Sequence, residues 1–185
     1  SSPNKIFNNT LKKMEAKLAE EHYVGYIDIN TIVNGNGIHP LEWTTRFGYP
    51  TIAIQQEGML CPIGEFRYEL AKGKTPRLRV KSGFQVGIRI VVPPFPFKDK
   101  ETFNVKSRDS VIHFKNGTEG IHIEDVKLVN GEWVVTGHTG VVLIVCGTGQ
   151  TMKSAMAQAY MRLKNGVIPH MYYRDDIGER WEEDS

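Results

Sequence analysis

The chain has 185 residues, with 23 basic and 21 acidic side chains and a net charge of +2. That near-balance gives no broad pull toward nucleic acid. No apolar run approaches the ~20 residues a membrane helix needs, and no secretory leader pattern opens the chain. Residues 4–22 read as an amphipathic helix, with Phe7, Leu11, Met14 and Leu18 along one stripe and Lys12, Lys13, Glu15, Lys17, Glu20 and Glu21 opposite. Two runs of strand character follow, Tyr23 to Asn30 and Ile38 to Gly48. Asn34-Gly35-Asn36-Gly37 lies between them as a hairpin turn, because Asn and Gly tolerate positive φ. Pro50 opens a short helix to about Glu57, and residues 63–72 form another that Gly73 ends. Phe84 to Val92 is a strand, and Pro93-Pro94-Phe95-Pro96 must leave the sheet because proline donates no ladder hydrogen bond. Strands are expected at 111–114, 121–128, 133–136 and 141–146. A helix capped by Thr151 then carries Met152, Ala155, Met156, Ala159, Tyr160 and Leu163 at spacings of three and four. The acidic stretch from Glu179 to Asp184 reads as a frayed end.

The expected fold class is α+β, a mainly antiparallel sheet system with helices packed on it. The length fits one domain, or one domain plus a small lobe. Cys61 and Cys146 show no metal-ligand spacing and are expected to be buried thiols in a reducing, cytoplasmic setting. There is no Gly-x-x-x-x-Gly-Lys-Ser/Thr loop and no Gly-x-Gly-x-x-Gly fingerprint.

Asp28 and Glu42 stand out because each lies in an apolar, strand-like run, where an unpaired charge is costly. A hairpin can bring both carboxylates to one face, with Arg46 at the far end of the second strand. Two acidic oxygens beside a cation suit a divalent metal that carries phosphate. The plain alternative is a pair of solvated surface charges. His113 and His122 could share a sheet face, but the local two-ligand spacing of zinc sites is missing. Phe95, Phe97 and Phe103 around the prolines could form an exposed apolar patch for a partner; the plain alternative is core packing.

At these residues the chain resembles a known family. Glu42-x-Thr44-x-Arg46-Phe47-Gly48-x-Pro50 is similar to the Glu-Phe-Asn-Ala-Arg-Phe-Gly-Asp-Pro-Glu signature of phosphoribosylamine–glycine ligases, which are ATP-grasp enzymes. Thr151-Met152-Lys153-Ser154-Ala155 with Ala159-Tyr160, and Tyr173-Arg174-Asp175-Asp176-Ile177-Gly178, resemble the family's later motifs in the same order. The resemblance implies that residues 1–74 are the C-terminal part of an ATP-grasp domain and 75–185 a sheet-rich C-terminal lobe. It implies Asp28, Glu42 and Thr44 as ligands of Mg²⁺ (or Mn²⁺), with Arg46 as the catalytic cation and ATP, glycine and phosphoribosylamine as substrates. An N-terminal ATP-grasp lobe would be the partner, so this stretch alone is expected to be inert. The chain would then be an excised piece, a split-gene product or a degenerate relative. Thr44 stands where the family has Asn, and Pro93–Pro96 where it has a Gly-Gly-Tyr-Pro turn. A divergent ligase with another substrate, or a non-catalytic binding domain, are the alternatives.

Overall fold

The computed structural model describes residues 3–181. Two compact units emerge: residues 1–49 with 61–79, and residues 50–60 with 80–185. The chain therefore passes between them after Tyr49, Leu60 and Arg79. Residues 50–60 join the second unit because the helix after Pro50 packs on the later strands.

In the first unit the expected helix over 4–22 is broken. It runs as α1 (Pro3–Asn9), a 3-10 turn (Leu11–Met14) and α2 (Glu15–Glu20). Thr10 causes the break: it adopts φ −125°, ψ −90°, and its buried hydroxyl donates to the Ile6 carbonyl at 2.7 Å. A threonine hydroxyl competing for a carbonyl one turn back is a known helix perturber. The hairpin follows as β1 (Asp28–Asn34) and β2 (Gly37–Thr44). Tyr23 to Ile27 lies outside β1: Gly25 has φ +153°, and the Tyr23 hydroxyl donates to the Tyr26 carbonyl at 2.7 Å. Past the second unit's α3 (Thr51–Gly58), α4 (Ile63–Ala71) completes the first unit.

The second unit is built on an antiparallel three-stranded sheet in the order β3 (Phe84–Val91), β8 (Val141–Gly149), β5 (Ile121–Ile123). Between β3 and β5 lie α5 (Lys100–Lys106) and β4 (His113–Phe114). Next come β6 (Val126–Val129) and β7 (Glu132–Val135), which pair with each other. The chain ends through α6 (Met152–Leu163), β9 (Gly166–Val167) and a 3-10 turn at Glu179–Trp181; the remaining acidic stretch lies outside the described residues.

Strand alternation sorts the core. Leu143 and Val145 of β8, with Val86, Ile88 and Ile90 of β3, pack with Ala155, Ala159 and Leu163 of α6. Ile144 and Cys146 point the other way and pack with Ala53 and Ile54 of α3. Among the described residues no helix is long and apolar enough to cross a membrane.

Candidate metal centre

The hairpin turn is the two-residue Gly35-Asn36. The Asn34 side-chain oxygen accepts from the Asn36 N–H at 2.8 Å, and Gly37 takes φ +141°. From that turn the register runs Asn34 opposite Gly37 to Thr31 opposite Pro40. It then shifts, so that Asn30 faces Glu42 and Asp28 faces Thr44, with Leu41 as the extra residue. Pro40 sits at the irregularity, where a residue without an N–H is tolerated.

The shift decides the site. Unbroken pairing would set Leu41 opposite Asn30 and Glu42 opposite Ile29, on the face away from Asp28. With the bulge, Asp28, Asn30, Glu42 and Thr44 share one face. Asp28 and Thr44 are half-buried, whereas Asn30 and Glu42 are exposed. Asp28 Oδ1 accepts from the Ile29 N–H at 2.8 Å, and Asn30 Nδ2 donates to Glu42 Oε1 at 2.8 Å.

Arg46 lies two residues past the end of β2, and its Nη1 donates to the Phe47 carbonyl at 2.9 Å. The Phe47 ring is held in turn: Tyr26 packs on it at 5.1 Å between centroids, and the Arg67 guanidinium lies 4.3 Å from its centre. Such cation–π and ring contacts fix the loop that carries Arg46. The strand pairing thus brings together Asp28, Glu42 and Thr44 and places Arg46 beyond it. Asn30 escaped the sequence reading, although its position two residues from Asp28 was the signal that it shares that face.

The face offers two carboxylates, a hydroxyl and an amide. These hard oxygen donors fit Mg²⁺ or Mn²⁺ and do not suit a thiolate- or imidazole-seeking metal. Among the described residues no three His, Cys, Asp or Glu side chains form a metal-holding group. His113 and His122 sit on β4 and β5, in different sheets.

The second unit holds a charged network that the sequence did not announce. Arg162 of α6 is buried, donates to the Cys146 carbonyl at 2.9 Å and contacts Glu119. It lies 3.6 Å from Glu57 of α3, whose other oxygen is 3.1 Å from His122 Nε2. Gly120 leaves room for this path, since a Cβ there would meet the guanidinium at 2.5 Å. Burial, with the neighbouring Asp125, pushes the Glu124 carboxyl above its ordinary range. The three phenylalanines form no common exposed patch: Phe103 is fully buried, Phe95 partly so, and Phe97 is 74% exposed. Arg89 approaches the Phe95 ring at 6.0 Å.

No family model matches the chain. Solved structures share the fold. The phosphoribosylamine–glycine ligase of Thermotoga maritima superposes on 95% of this chain and 44% of its own, with a TM-score of 0.72 and 20% identity. A biotin carboxylase subunit of pyruvate carboxylase covers 95% of this chain and 38% of its own, at TM-score 0.62 and 17% identity. The fold is that of the ATP-grasp proteins, α+β as expected.

Sequence relatives narrow this. The phosphoribosylamine–glycine ligase of Mycobacterium bovis is 25% identical over 98% of this chain and 43% of its own length. Those of Streptococcus pneumoniae and Caulobacter vibrioides are 24% and 26% identical, over 85% of this chain and 36% and 37% of theirs. The chain is thus similar to the C-terminal part of phosphoribosylamine–glycine ligases. It spans less than half the length of these relatives.

Proposed function

We propose that the chain is the C-terminal part of an ATP-dependent carbon–nitrogen ligase of purine biosynthesis, working in the cytoplasm. It would join glycine to 5-phosphoribosylamine, giving glycinamide ribonucleotide, ADP and phosphate. The observation that carries this reading is the bulged hairpin face, with Asp28 opposite Thr44 and Asn30 opposite Glu42, in a chain similar to these ligases over 98% of its length.

Such a ligase transfers phosphate from ATP to a carboxylate, and an amine then displaces it. The protein contributes positioning and charge neutralisation. Asp28, Glu42 and Thr44 would hold Mg²⁺ (or Mn²⁺), which supplies charge neutralisation on the phosphate oxygens. Arg46, anchored through Phe47, would meet the charge that develops on the transferred group, and its planar fork suits phosphate. An N-terminal ATP-grasp lobe would supply the adenine and phosphate contacts. Residues 1–74 would complete that ATP-grasp domain and residues 75–185 would form the C-terminal lobe.

One observation favours a different carboxylate or amine on the same chemistry. The Pro93–Pro96 segment is pinned: the buried Ser107 hydroxyl donates to the Pro93 carbonyl at 2.5 Å, and the Tyr172 hydroxyl donates to the Phe95 carbonyl. A stiff apolar loop there would present a changed surface to a substrate. Phosphate release by the longer ligase tests both readings. Release that requires glycine and phosphoribosylamine together supports the first. Release with another small carboxylate or amine only supports the second, and no ATP turnover with any pair overturns both.

A further inference from the structure

We propose that Asn30 positions Glu42 and makes the hairpin face prefer Mg²⁺ over Ca²⁺, an inference that rests on the metal reading above. The bulge at Leu41 sets Asn30 directly opposite Glu42, and the amide Nδ2 donates to Glu42 Oε1 at 2.8 Å. One carboxylate oxygen is thereby engaged, and the other, Oε2, is left for a cation. A carboxylate held in this way presents Oε2 as its better ligand oxygen. Gripping a cation with both would make Oε1 serve the amide and the metal at once, which weakens it as a ligand.

That distinction separates the two ions. Mg²⁺ takes near-octahedral single-oxygen contacts at about 2.1 Å, whereas Ca²⁺ accepts roughly six to eight oxygens and commonly uses both oxygens of one carboxylate. An amide that fixes one oxygen therefore supports the smaller ion and works against the larger. It also sets the Glu42 side chain before the metal arrives, as partners behind a ligand commonly do. Asn30 is exposed, so the amide can be removed with little loss of packing.

The test uses the 185-residue chain with no nucleotide. Mn²⁺ binding is followed by electron paramagnetic resonance, and Mg²⁺ and Ca²⁺ are ranked by competition. Wild type should bind Mn²⁺ and yield it to Mg²⁺ more readily than to Ca²⁺, and Asp28→Asn should abolish that binding. Asn30→Leu should weaken Mn²⁺ about tenfold, within the range seen when the partner of a metal ligand is removed. It should also shrink the Mg²⁺ over Ca²⁺ preference several-fold at an unchanged melting temperature. In wild type, Mn²⁺ should broaden the Asn30 side-chain amide resonances along with the other signals of the hairpin face, a readout that needs no variant. If Asp28→Asn abolishes binding while Asn30→Leu leaves affinity and preference unchanged, the Asn30 inference fails and the site reading stands. If Asp28→Asn leaves Mn²⁺ binding intact, the site reading falls and the inference with it.

Discussion

At Cys146 the thiol lies beneath α3 with Ile144 and Ala53, fully buried. Burial pushes its pKa up to about 12; nearby Glu57 adds to the rise and Arg162 opposes it. The ordinary value is 9.0, so the folded state holds the proton more tightly than the unfolded chain does. The resulting stability is fully present below pH 9.0 and is lost as pH rises toward about 12. A falling urea midpoint over that alkaline window, with a shallower fall in Cys146→Ala, is the expected outcome. Cys61 is half-buried and should take up a maleimide in the native protein, whereas Cys146 should label only in urea. Equal native labelling would contradict this environment. The burial expected for both thiols from composition thus describes Cys146 and only partly Cys61. Single residues also mark where sequence reading stopped. Asp28 and Glu42 were legible through the Asn-Gly turn, but their shared face depends on the extra residue Leu41. Pro40 marks where the pairing can break, but nothing in the sequence gives the direction or size of the shift. Arg162 carried no sequence signal, because its partners Glu57 and Cys146 are brought to it only by the fold.

Elements with a strong local signal were readable. The Gly35-Asn36 turn, the β-branched run of β3 and the Thr151-capped α6 all match their expected places. In α6 the Thr151 hydroxyl accepts from the Ser154 N–H while the Ser154 hydroxyl accepts from the Thr151 N–H. The α5 helix was missed because it buries only Phe103 and so shows no periodic stripe, although Asp99 caps it through the Glu101 and Thr102 N–H groups. The expected strand over 121–128 is two strands that separate at Glu124-Asp125, since Asp125 turns to accept from the Thr139 hydroxyl at 2.5 Å. The seat of α6 on β8 depends on glycine. A Cβ at Gly147 would meet the Ala155 carbonyl oxygen at 2.3 Å and the Ala159 nitrogen at 2.4 Å, both backbone atoms of the helix. Gly147→Ala is therefore expected to cost about 3 kcal/mol or more, at the upper end of overpacking effects. Gly131→Ala, with no atom within 4 Å of its added Cβ, should cost less despite its φ of +86°. Urea unfolding of the two variants checks this order, and equal losses would contradict the close helix–strand approach.

For the molecule as a whole, the hairpin of the first unit carries the proposed metal chemistry, while the second unit carries the larger apolar core. Both lie within a stretch similar to less than half of a phosphoribosylamine–glycine ligase. The resemblance to these ligases was legible from three motifs in order. A substrate was not, because Pro93–Pro96 stand where the motif of those ligases has a different turn. The proposed chemistry depends most on Glu42 serving a metal on the hairpin face. Glu42→Gln tests it in the proposed full-length ligase, with turnover and thermal melting measured in parallel, with and without Mg²⁺. The swap keeps the side chain's shape and a carbonyl oxygen for the Asn30 amide, so melting without Mg²⁺ should be nearly unchanged. Turnover should fall ~10²-fold or more, because a charge that would hold the metal is removed. Turnover within about threefold of wild type, far short of the loss expected for a catalytic metal ligand, would contradict the claim.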